Sequence, residues 1–268
     1  MTNSLDKKIA QSKTMIEQVL RFYEKSEGGL YLANSGGKDS LACYILLKEM
    51  GVNIPIVHSN TTIDPIGTLS YIKDIMPETV ILQPEETFFE LVVRKMLPSR
   101  MNRYCCQVLK ESYGIGKNTI EGVRASESSK RANRDVISCD TRPEMEGAQH
   151  IYIIYNWLDE DVYSFIRDRN YPLAPCYGKG MTRLGCVGCP QVTRKGVREF
   201  EFSLYPRRYE TIKRAIHKGM ELHPHWKISR YTEGNAELAM QWWLSGKTMR
   251  EYFGRELPFI RICKRKQE

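Results

Sequence analysis

The sequence contains no run of about 18 consecutive apolar residues, which excludes a membrane-spanning helix. No apolar segment follows its first residues, so we expect no secretory signal. It also has no low-complexity tract and no internal repeat, and its 41% of hydrophobic residues suffice for a packed core. These absences predict a cytoplasmic protein whose eight cysteines are thiols or metal ligands rather than disulfides.

The positive charge of the chain is unevenly distributed. Residues 190–268 carry 17 Lys and Arg against 9 Asp and Glu, whereas residues 1–189 carry 23 of each kind. The formal net charge of +8 therefore lies in the C-terminal part, which indicates a polyanionic partner such as RNA or DNA. Basic residues that only solvate a helical surface explain the charge equally well. The aromatic residues of this part, a type that stacks on bases, are Trp226, Tyr231, Trp242, Trp243, Tyr252 and Phe253.

Short apolar runs alternate with segments of helical periodicity over the first part of the sequence. This alternation predicts an α/β fold with a doubly wound, mostly parallel sheet. Beyond residue 159 the strand signals end, and we predict a sheet domain over 1–189 and a smaller, basic, mainly helical module over 190–268. The predicted strands are 30–34, 54–59, 79–82, 119–124 and 150–155, and the predicted helices of the sheet domain are 4–24, 39–50, 64–75, 85–97, 105–113 and 159–170.

A glycine-rich segment joins the first predicted strand to the next helix, and it reads Ser35-Gly36-Gly37-Lys38-Asp39-Ser40. A turn between a strand and a helix directs free backbone N–H groups and the positive end of the helix to one point, where a phosphate binds well. The glycines permit close approach of the backbone, the serines add hydroxyl donors and the lysine adds charge. The aspartate is either a partner of the lysine or a ligand of Mg²⁺ bound with ATP.

This segment does not have the spacing of a Walker A loop. It resembles the Ser-Gly-Gly-Lys-Asp-Ser signature of the PP-loop ATP pyrophosphatase superfamily. The resemblance implies a fold of the adenine nucleotide alpha hydrolase type and an adenine nucleotide, ATP or adenylyl sulfate, bound by residues 35–40. For ATP it implies cleavage between the α and β phosphates rather than transfer of the γ phosphate.

The cysteines form a second pattern. Cys186 and Cys189 belong to a Cys-x-x-Cys-Pro sequence, the adjacent pair Cys105 and Cys106 stands upstream, and Cys176 lies between them. Thiolates grouped in this way bind an iron–sulfur cluster or zinc. The pattern resembles the iron–sulfur adenylyl-sulfate reductases of the phosphoadenylyl-sulfate reductase family. The resemblance implies that the two pairs hold one [4Fe-4S] cluster, with Zn²⁺ as the alternative, while Cys176 either replaces Cys105 as a ligand or carries a sulfur atom.

Residues 122–131 follow the fourth predicted strand and resemble the Gly-x-Arg-x-x-Glu-Ser-x-x-Arg motif of the same family. The resemblance implies contacts to phosphate or sulfate, and the alternative is a surface charge cluster that caps a helix. Residues 58–65 stand where the family has an Asp-Thr-Gly turn, but its acidic position is not evident here. The motif residues expected at the nucleotide are Arg124, Glu127, Ser128 and Arg131.

The expected reaction depends on one departure from this family. Its reductases use a cysteine in a C-terminal Glu-Cys-Gly-x-x-His motif, whereas the last cysteine here, Cys263, lies in Arg-Ile-Cys-Lys-Arg. We therefore expect an ATP-dependent sulfurtransferase that adenylates its substrate and then inserts sulfur. The alternatives are an adenylyl- or phosphoadenylyl-sulfate reductase with a divergent tail, and a non-catalytic subunit that binds nucleotide and cluster.

The residues expected to act in this reaction are Lys38, Asp39, Arg124 and Cys176. The lysine and the arginine would stabilise charge at the α-phosphate, and the cysteine would deliver sulfur. The expected partners are a sulfur donor or a thioredoxin-like reductant, a nucleic acid bound by the basic module, and further copies of the chain in a homo-oligomer.

Overall fold

The computed structural model describes residues 4–23 and 29–254, so Cys263 and the basic residues around it lie outside the described part. The described residues form two compact units. Unit 1 contains the chain up to Pro84 together with Gln107–Gly185, and unit 2 contains Glu85–Cys106 together with the residues from Cys186 onward.

Unit 1 contains a six-stranded sheet in the order β3-β2-β1-β4-β6-β5. All neighbouring strands are parallel except β5, which runs antiparallel to β6. Each of the five predicted strands overlaps an observed strand, although the fourth and fifth end earlier than predicted, at Ile120 and Ile151. The edge strand β5 was not predicted because its three residues form no apolar run. The strands are β1 (Leu30–Ala33), β2 (Ile56–Ser59), β3 (Thr79–Leu82), β4 (Asn118–Ile120), β5 (Ile137–Cys139) and β6 (Gln149–Ile151).

Helices cover the sheet of unit 1 and make up most of unit 2. No helix of the described residues is both long and apolar enough to cross a membrane. In chain order the helices are α1 (Ser4–Tyr23), α2 (Lys38–Glu49), α3 (Thr68–Ile75), α4 (Phe88–Lys95), α5 (Tyr104–Cys106), α6 (Ser129–Ala132), α7 (Asp159–Asp168), α8 (Pro175–Gly178), α9 (Val197–Leu204), α10 (Pro206–Leu222), α11 (Lys227–Thr232), α12 (Ala236–Ser245) and α13 (Met249–Phe253).

The direction of the strand order reverses at β1. The chain proceeds from β1 to β2 and β3 on one side, and β4, β6 and β5 lie on the other side. In open parallel sheets a ligand crevice forms outside the carboxyl ends of the strands at this switch point. The loop after β1, which contains the predicted phosphate segment, and the loop after β4, which contains Arg124, therefore meet at one crevice.

Helix α2 is buried on almost every side. Its residues from Leu41 to Leu47 are all at most 2% exposed, because the helix contacts β1, α1 and α7. Each fully buried leucine contributes about 1.5–3 kcal/mol. The N-terminus of α2, and with it the phosphate segment, therefore occupies a fixed position. Cys43, which we predicted to be a core residue, is fully buried in this helix.

Unit 2 is organised around the contact between α4 and α10. Gly219 in α10 permits this contact, because a Cβ atom there would lie 3.0 Å from the carbonyl oxygen of Val93. The division into units thus differs from the predicted boundary at residue 189. Helix α4 and the cysteine pair that follows it belong with the C-terminal helices, since α4 packs on α10.

A buried hydrogen-bond chain ties α1 to the segment after β6. Trp157 is 1% exposed, and its Nε1 atom donates to the Ser12 hydroxyl at 3.1 Å. That hydroxyl donates in turn to the carbonyl oxygen of Ile153 at 2.6 Å. Ser12 therefore satisfies two buried polar groups at once.

We expect Ser12→Ala to lower the free energy of unfolding by about 1–3 kcal/mol, because it leaves the indole N–H and the Ile153 carbonyl without partners. Urea unfolding followed by circular dichroism measures the change. Thr14→Ala removes a hydroxyl from an exposed position of the same helix and should change stability by no more than about 0.5 kcal/mol. Equal effects of the two substitutions would contradict this assignment.

Candidate functional site

The phosphate segment has the geometry of an anion-binding loop. Gly36 adopts a φ of +75°, and a Cβ atom there would lie 3.1 Å from Ile72 Cδ1, so the position requires glycine. Gly37 is the N-cap of α2 and has no side chain to cap the helix. The backbone N–H of Lys38 donates to the hydroxyl of Tyr177 at 3.0 Å. The Tyr177 hydroxyl oxygen therefore already accepts a hydrogen bond from one of the backbone N–H groups at the start of α2.

A cleft of about 450 Å³ opens beside this segment, outside the ends of β1 and β4. A volume of this size suits a nucleotide-sized ligand. Several residues predicted to contact the nucleotide line it, whereas Gly36, Lys38, Arg124 and Ser128 are not among its lining residues. The predicted residues that line the cleft are Ser35, Gly37, Asp39, Ser40, Glu127 and Arg131.

Lys38 and Arg124 are buried cations that form an ion cluster with two carboxylates, of which Asp159 is exposed. Lys38 Nζ is 2.9 Å from Asp39 Oδ2 and 3.0 Å from Asp159 Oδ1. Arg124 contacts the same two carboxylates at 2.7 and 2.5 Å. Lys38 is 5% exposed and Arg124 3%. Although burial opposes it, Lys38 and Arg124 hold the pKa of Asp159 below its ordinary value.

The pairing of Asp39 with Lys38 was one of the two interpretations of that aspartate, and it is observed here. Asp159 was not predicted as a site residue. It is the first residue of α7, far from the loop in sequence, and only the tertiary structure brings it to Lys38. The two carboxylates balance the two buried cations, so the cluster holds Lys38 and Arg124 in a fixed arrangement next to the loop.

The segment after β4 was predicted either to contact a phosphate or to cap a helix, and its side chains are placed for both. The Glu127 carboxylate accepts from the backbone N–H of Arg124 at 2.9 Å and forms an ion pair with Arg131. The hydroxyl of Ser128 accepts from the backbone N–H of Arg131 at 3.3 Å and caps α6. The charged residues thus stabilise a helix start while Glu127 and Arg131 also face the cleft.

Arg183 is a cation at the cleft that the sequence did not indicate. It is exposed, it lines the cleft, and it forms no ion pair with any described residue. The sequence around Arg183, between Cys176 and Cys186, did not mark it as a ligand-binding residue, because a single arginine in a glycine-rich loop is common. The guanidinium is therefore available to an anionic ligand.

A second cavity of about 180 Å³ adjoins the cleft and shares Tyr31 and Ser35 with it. His58, at the end of β2, lines this cavity and is 3% exposed. Its Nδ1 lies 2.8 Å from the carbonyl oxygen of Asn34, so Nδ1 carries the proton and Nε2 accepts. Burial lowers the pKa of His58 below its ordinary value of 6.5, which keeps the ring neutral at pH 7. Nε2 has no hydrogen-bond partner and is 3.9 Å from Asp64 Oδ2.

Cys176 lies in α8 of unit 1 and is 1% exposed. Burial raises the pKa of its thiol to about 11. The side chain is therefore a protonated thiol at pH 7 in this arrangement, and it is not among the residues that line the cleft. Its expected role as a nucleophile or sulfur carrier would need a more exposed position.

The four cysteines expected to bind metal all belong to unit 2 and are half-buried. A hydrogen bond to Cys106, burial, and the proximity of Cys186 and Cys189 raise the pKa of Cys105. Within residues 4–23 and 29–254, no group of three or more His, Cys, Asp or Glu side chains is arranged so that it could hold a metal ion. No described cysteine is in a disulfide.

The Cys-x-x-Cys loop is held by α9. Gly188 adopts a φ of +72°, and a Cβ atom there would lie 2.3 Å from the ring of Phe202. Its N–H donates to the carboxylate of Glu201 at 2.7 Å, a residue that is itself 3% exposed. The loop between Cys186 and Cys189 therefore needs glycine at this position and has a fixed backbone.

The aromatic residues of unit 2 pack within the unit. Trp243 is buried and donates to the carbonyl oxygen of Pro98 at 2.7 Å. Trp226 stacks on His223 at 4.0 Å, and Tyr231 stacks on Phe253 at 5.2 Å. The remaining two, Trp242 and Tyr252, are half-buried. The expectation of base stacking by these side chains gains no support.

The family model described as phosphoadenosine phosphosulfate reductase domain matches residues 29–192. An uncharacterized protein of Methanocaldococcus jannaschii is 27% identical over 75% of this chain and 44% of its own length. A second protein from that organism matches over 46% of its length, so the chain spans about half the length of these two relatives.

An adenosine 5'-phosphosulfate reductase of Streptomyces coelicolor is 24% identical over 67% of this chain and 79% of its own length. Among solved structures, the FMN adenylyltransferase of Candida glabrata with FMN and the ATP analogue AMPCPP matches with a TM-score of 0.53 and 15% identity. That match covers 70% of this chain and 66% of the other. At this level of identity it shows a shared fold.

We expect Gly122→Ala to disrupt the cleft. A Cβ atom at Gly122 would lie 2.6 Å from the carbonyl carbon of Asp39 and 2.8 Å from the Ser40 nitrogen, so β4 and the start of α2 must separate. The free energy of unfolding should fall by about 1–3 kcal/mol, which chemical unfolding measures. Gly178→Ala, at a helical position with nothing within 4 Å, should change stability by no more than about 0.5 kcal/mol. A fully stable Gly122→Ala protein would contradict the close approach.

Proposed function

The chain belongs to the phosphoadenosine phosphosulfate reductase domain family, and from this premise we propose that it is an enzyme that cleaves an adenine nucleotide at the α-phosphate. The observation that carries the proposal is the glycine segment at the start of a buried helix, beside a cleft of about 450 Å³ at the switch point of the sheet. We favour an ATP-dependent sulfurtransferase, in which the substrate is adenylated and sulfur then displaces AMP.

The phosphates would bind at the start of α2. The backbone N–H groups there and the hydroxyls of Ser35 and Ser40, which lie 3.1 Å apart, supply donors. Asp39 presents a carboxylate to the cleft, and Mg²⁺ is usually held by one or two carboxylates together with phosphate oxygens. Asp39 therefore fits a magnesium ion bound with ATP. Arg183 at the cleft would stabilise negative charge at the α-phosphate, and Lys38 and Arg124, which are ion-paired with Asp39, would hold its carboxylate in place.

The adenine base would occupy the cavity at the end of β2. The neutral His58 ring presents Nε2 as an acceptor, and the Asp64 carboxylate lies 3.9 Å from it. The exocyclic amino group of adenine is a donor of the kind that Nε2 of His58 lacks. Inosine has a carbonyl oxygen in the same place and would leave Nε2 unpaired.

The proposed reaction has two displacements. An oxygen of the substrate attacks the α-phosphorus of ATP, a P–O bond forms, and pyrophosphate leaves with the electron pair of the broken bond. A sulfur nucleophile at the oxidation level of hydrosulfide then attacks the carbon that bears the adenylated oxygen, and AMP leaves with that oxygen. The protein's contribution is to position the groups and to stabilise charge. Cys176 would carry the sulfur only if α8 moves, because its thiol is buried.

The two cysteine pairs of unit 2 would be the ligands of a metal centre. The loop between Cys186 and Cys189 has a fixed backbone, and thiolates are the preferred ligands of iron–sulfur clusters and zinc. When bound by all four cysteines, a [4Fe-4S] cluster would have no open iron and would supply electron transfer. Zn²⁺ remains the alternative metal.

A sulfonucleotide reductase is the second candidate. The family match and the reductase from Streptomyces coelicolor favour it. In that reaction the same loop would hold adenylyl or phosphoadenylyl sulfate, and a thiol reductant such as thioredoxin would be consumed. RNA or DNA bound by the basic C-terminal residues, and a homo-oligomer, belong to the proposal for the sulfurtransferase.

We expect the protein to convert radiolabelled ATP to AMP and pyrophosphate, not to ADP and phosphate, when RNA or DNA and a sulfide donor are supplied.

We also expect ATP to bind about tenfold or more tightly than ITP, because ITP leaves His58 Nε2 unpaired. His58→Phe should abolish this preference, whereas His217→Phe, at an exposed histidine, should keep it.

Other outcomes separate the alternatives. Sulfite release from adenylyl sulfate with thioredoxin, without AMP release from ATP, would establish the reductase instead. Tight nucleotide binding without turnover under all of these conditions would establish the non-catalytic subunit. Equal binding of ATP and ITP by the unmodified protein would place the base elsewhere.

We expect anaerobically reconstituted protein to contain about four irons and about four sulfides per chain. Cys189→Ser should remove most of this iron, measured by colorimetric iron analysis and visible absorption, because a ligand is lost. Cys139→Ser, at an exposed cysteine of β5 in unit 1, should leave the iron content unchanged. About one zinc per chain in place of iron would identify a zinc site.

A further inference from the structure

Unit 2 contains a buried arginine whose charge the described residues do not neutralise. Arg198, the second residue of α9, is 5% exposed. Its Nε donates to the carbonyl oxygen of Gly188 at 3.0 Å, and its Nη1 donates to the carbonyl oxygen of Trp243 at 2.7 Å. Both acceptors are neutral, and Arg198 forms no ion pair with any residue that the structure describes.

The third nitrogen of this guanidinium is unused. Nη2 of Arg198 is buried and has no hydrogen-bond partner. An unsatisfied buried donor costs about 1–3 kcal/mol. The guanidinium cannot turn to satisfy Nη2, since it lies over the Trp243 ring at 4.2 Å and its two other nitrogens are bonded. Nη2 is therefore available to a further acceptor, and an anionic acceptor binds a charged donor best.

The cysteine loop contacts this guanidinium through the carbonyl oxygen of Gly188. Gly188, which Arg198 holds, stands directly before Cys189, and Arg198 interacts electrostatically with the Cys189 sulfur. Glu201 is also near, but its carboxylate already accepts from the N–H of Gly188. Cysteine binds metal only as the thiolate, and four thiolates around a zinc ion or an iron–sulfur cluster give the site a net negative charge.

We propose that Arg198 is a positioning residue of the metal site: it holds the Gly188 backbone next to Cys189, and its charge would offset that of the metal-bound thiolates. The inference rests on the metal site of the proposed function. The same side chain fixes the Cys-x-x-Cys backbone through Gly188, so it orients the ligand and neutralises it at once. Partners of this kind outside the ligand set typically change metal affinity about 10- to 100-fold.

The test compares Arg198→Met, which keeps the length of the side chain and removes the charge, with Arg198→Lys, which keeps the charge. Arg194→Met removes a charge from an exposed position close by and serves as the control. Co²⁺ titration, followed by the sulfur-to-cobalt charge-transfer absorption, measures metal affinity. A dithionite titration of the reconstituted protein measures the midpoint potential of the cluster.

We expect Arg198→Met to lower Co²⁺ affinity about 10- to 100-fold and to shift the midpoint potential to more negative values, because a positive charge favours the reduced cluster. Arg198→Lys should lie closer to the unmodified protein in both measurements, and Arg194→Met should not differ from it. Near-UV circular dichroism checks that each variant is folded. If the Met variant does not fold, Arg198→Gln takes its place in the comparison with Arg198→Lys.

Folded Arg198→Met or Arg198→Gln with unchanged affinity and potential would overturn the inference and leave Arg198 as a structural anchor of Gly188. Failure of the unmodified protein to bind either iron or Co²⁺ would overturn the metal site and this inference together. Metal binding without AMP release from ATP would refute the proposed reaction alone, because both readouts for Arg198 are independent of turnover.

Discussion

The burial of α2 is the constraint on which the rest of unit 1 depends. The helix has apolar contacts on nearly all sides, so its first turn cannot shift without disturbing the sheet and α7. A loop that binds phosphate through backbone N–H groups needs such a support, because those groups cannot adjust one by one. Gly122 contributes from the other side, since it lets the end of β4 lie against the Asp39 backbone.

The two units use buried positive charge in different ways. In unit 1, Lys38 and Arg124 are balanced by Asp39 and Asp159, so the cluster is neutral and fixed. In unit 2, Arg198 is surrounded by carbonyl oxygens and an aromatic ring, which hold it in place without cancelling its charge. The first arrangement is complete within the protein. The second leaves one donor, Nη2 of Arg198, without a partner.

Much of the fold followed from the sequence, because buried parallel strands give apolar runs and glycine-rich turns mark their ends. The edge strand β5 could not be predicted, since its three residues, Ile137–Cys139, are too few to form an apolar run. The cleft residues close to the loop in sequence were predicted, whereas Asp159 and Arg183 required the tertiary structure. The aromatic residues of unit 2 were expected at a surface, but residue type alone does not distinguish a stacking face from a core.

The hydrogen bond from the Lys38 N–H to the Tyr177 hydroxyl has a consequence for ligand binding. An anion that takes this N–H must displace the hydroxyl, so ligand affinity and the position of α8 are thermodynamically linked. Cys176 is the residue before Tyr177 and moves with it. The occupancy of the loop would then set how often this otherwise inert thiol meets solvent, and the rate of its alkylation would report on the nucleotide.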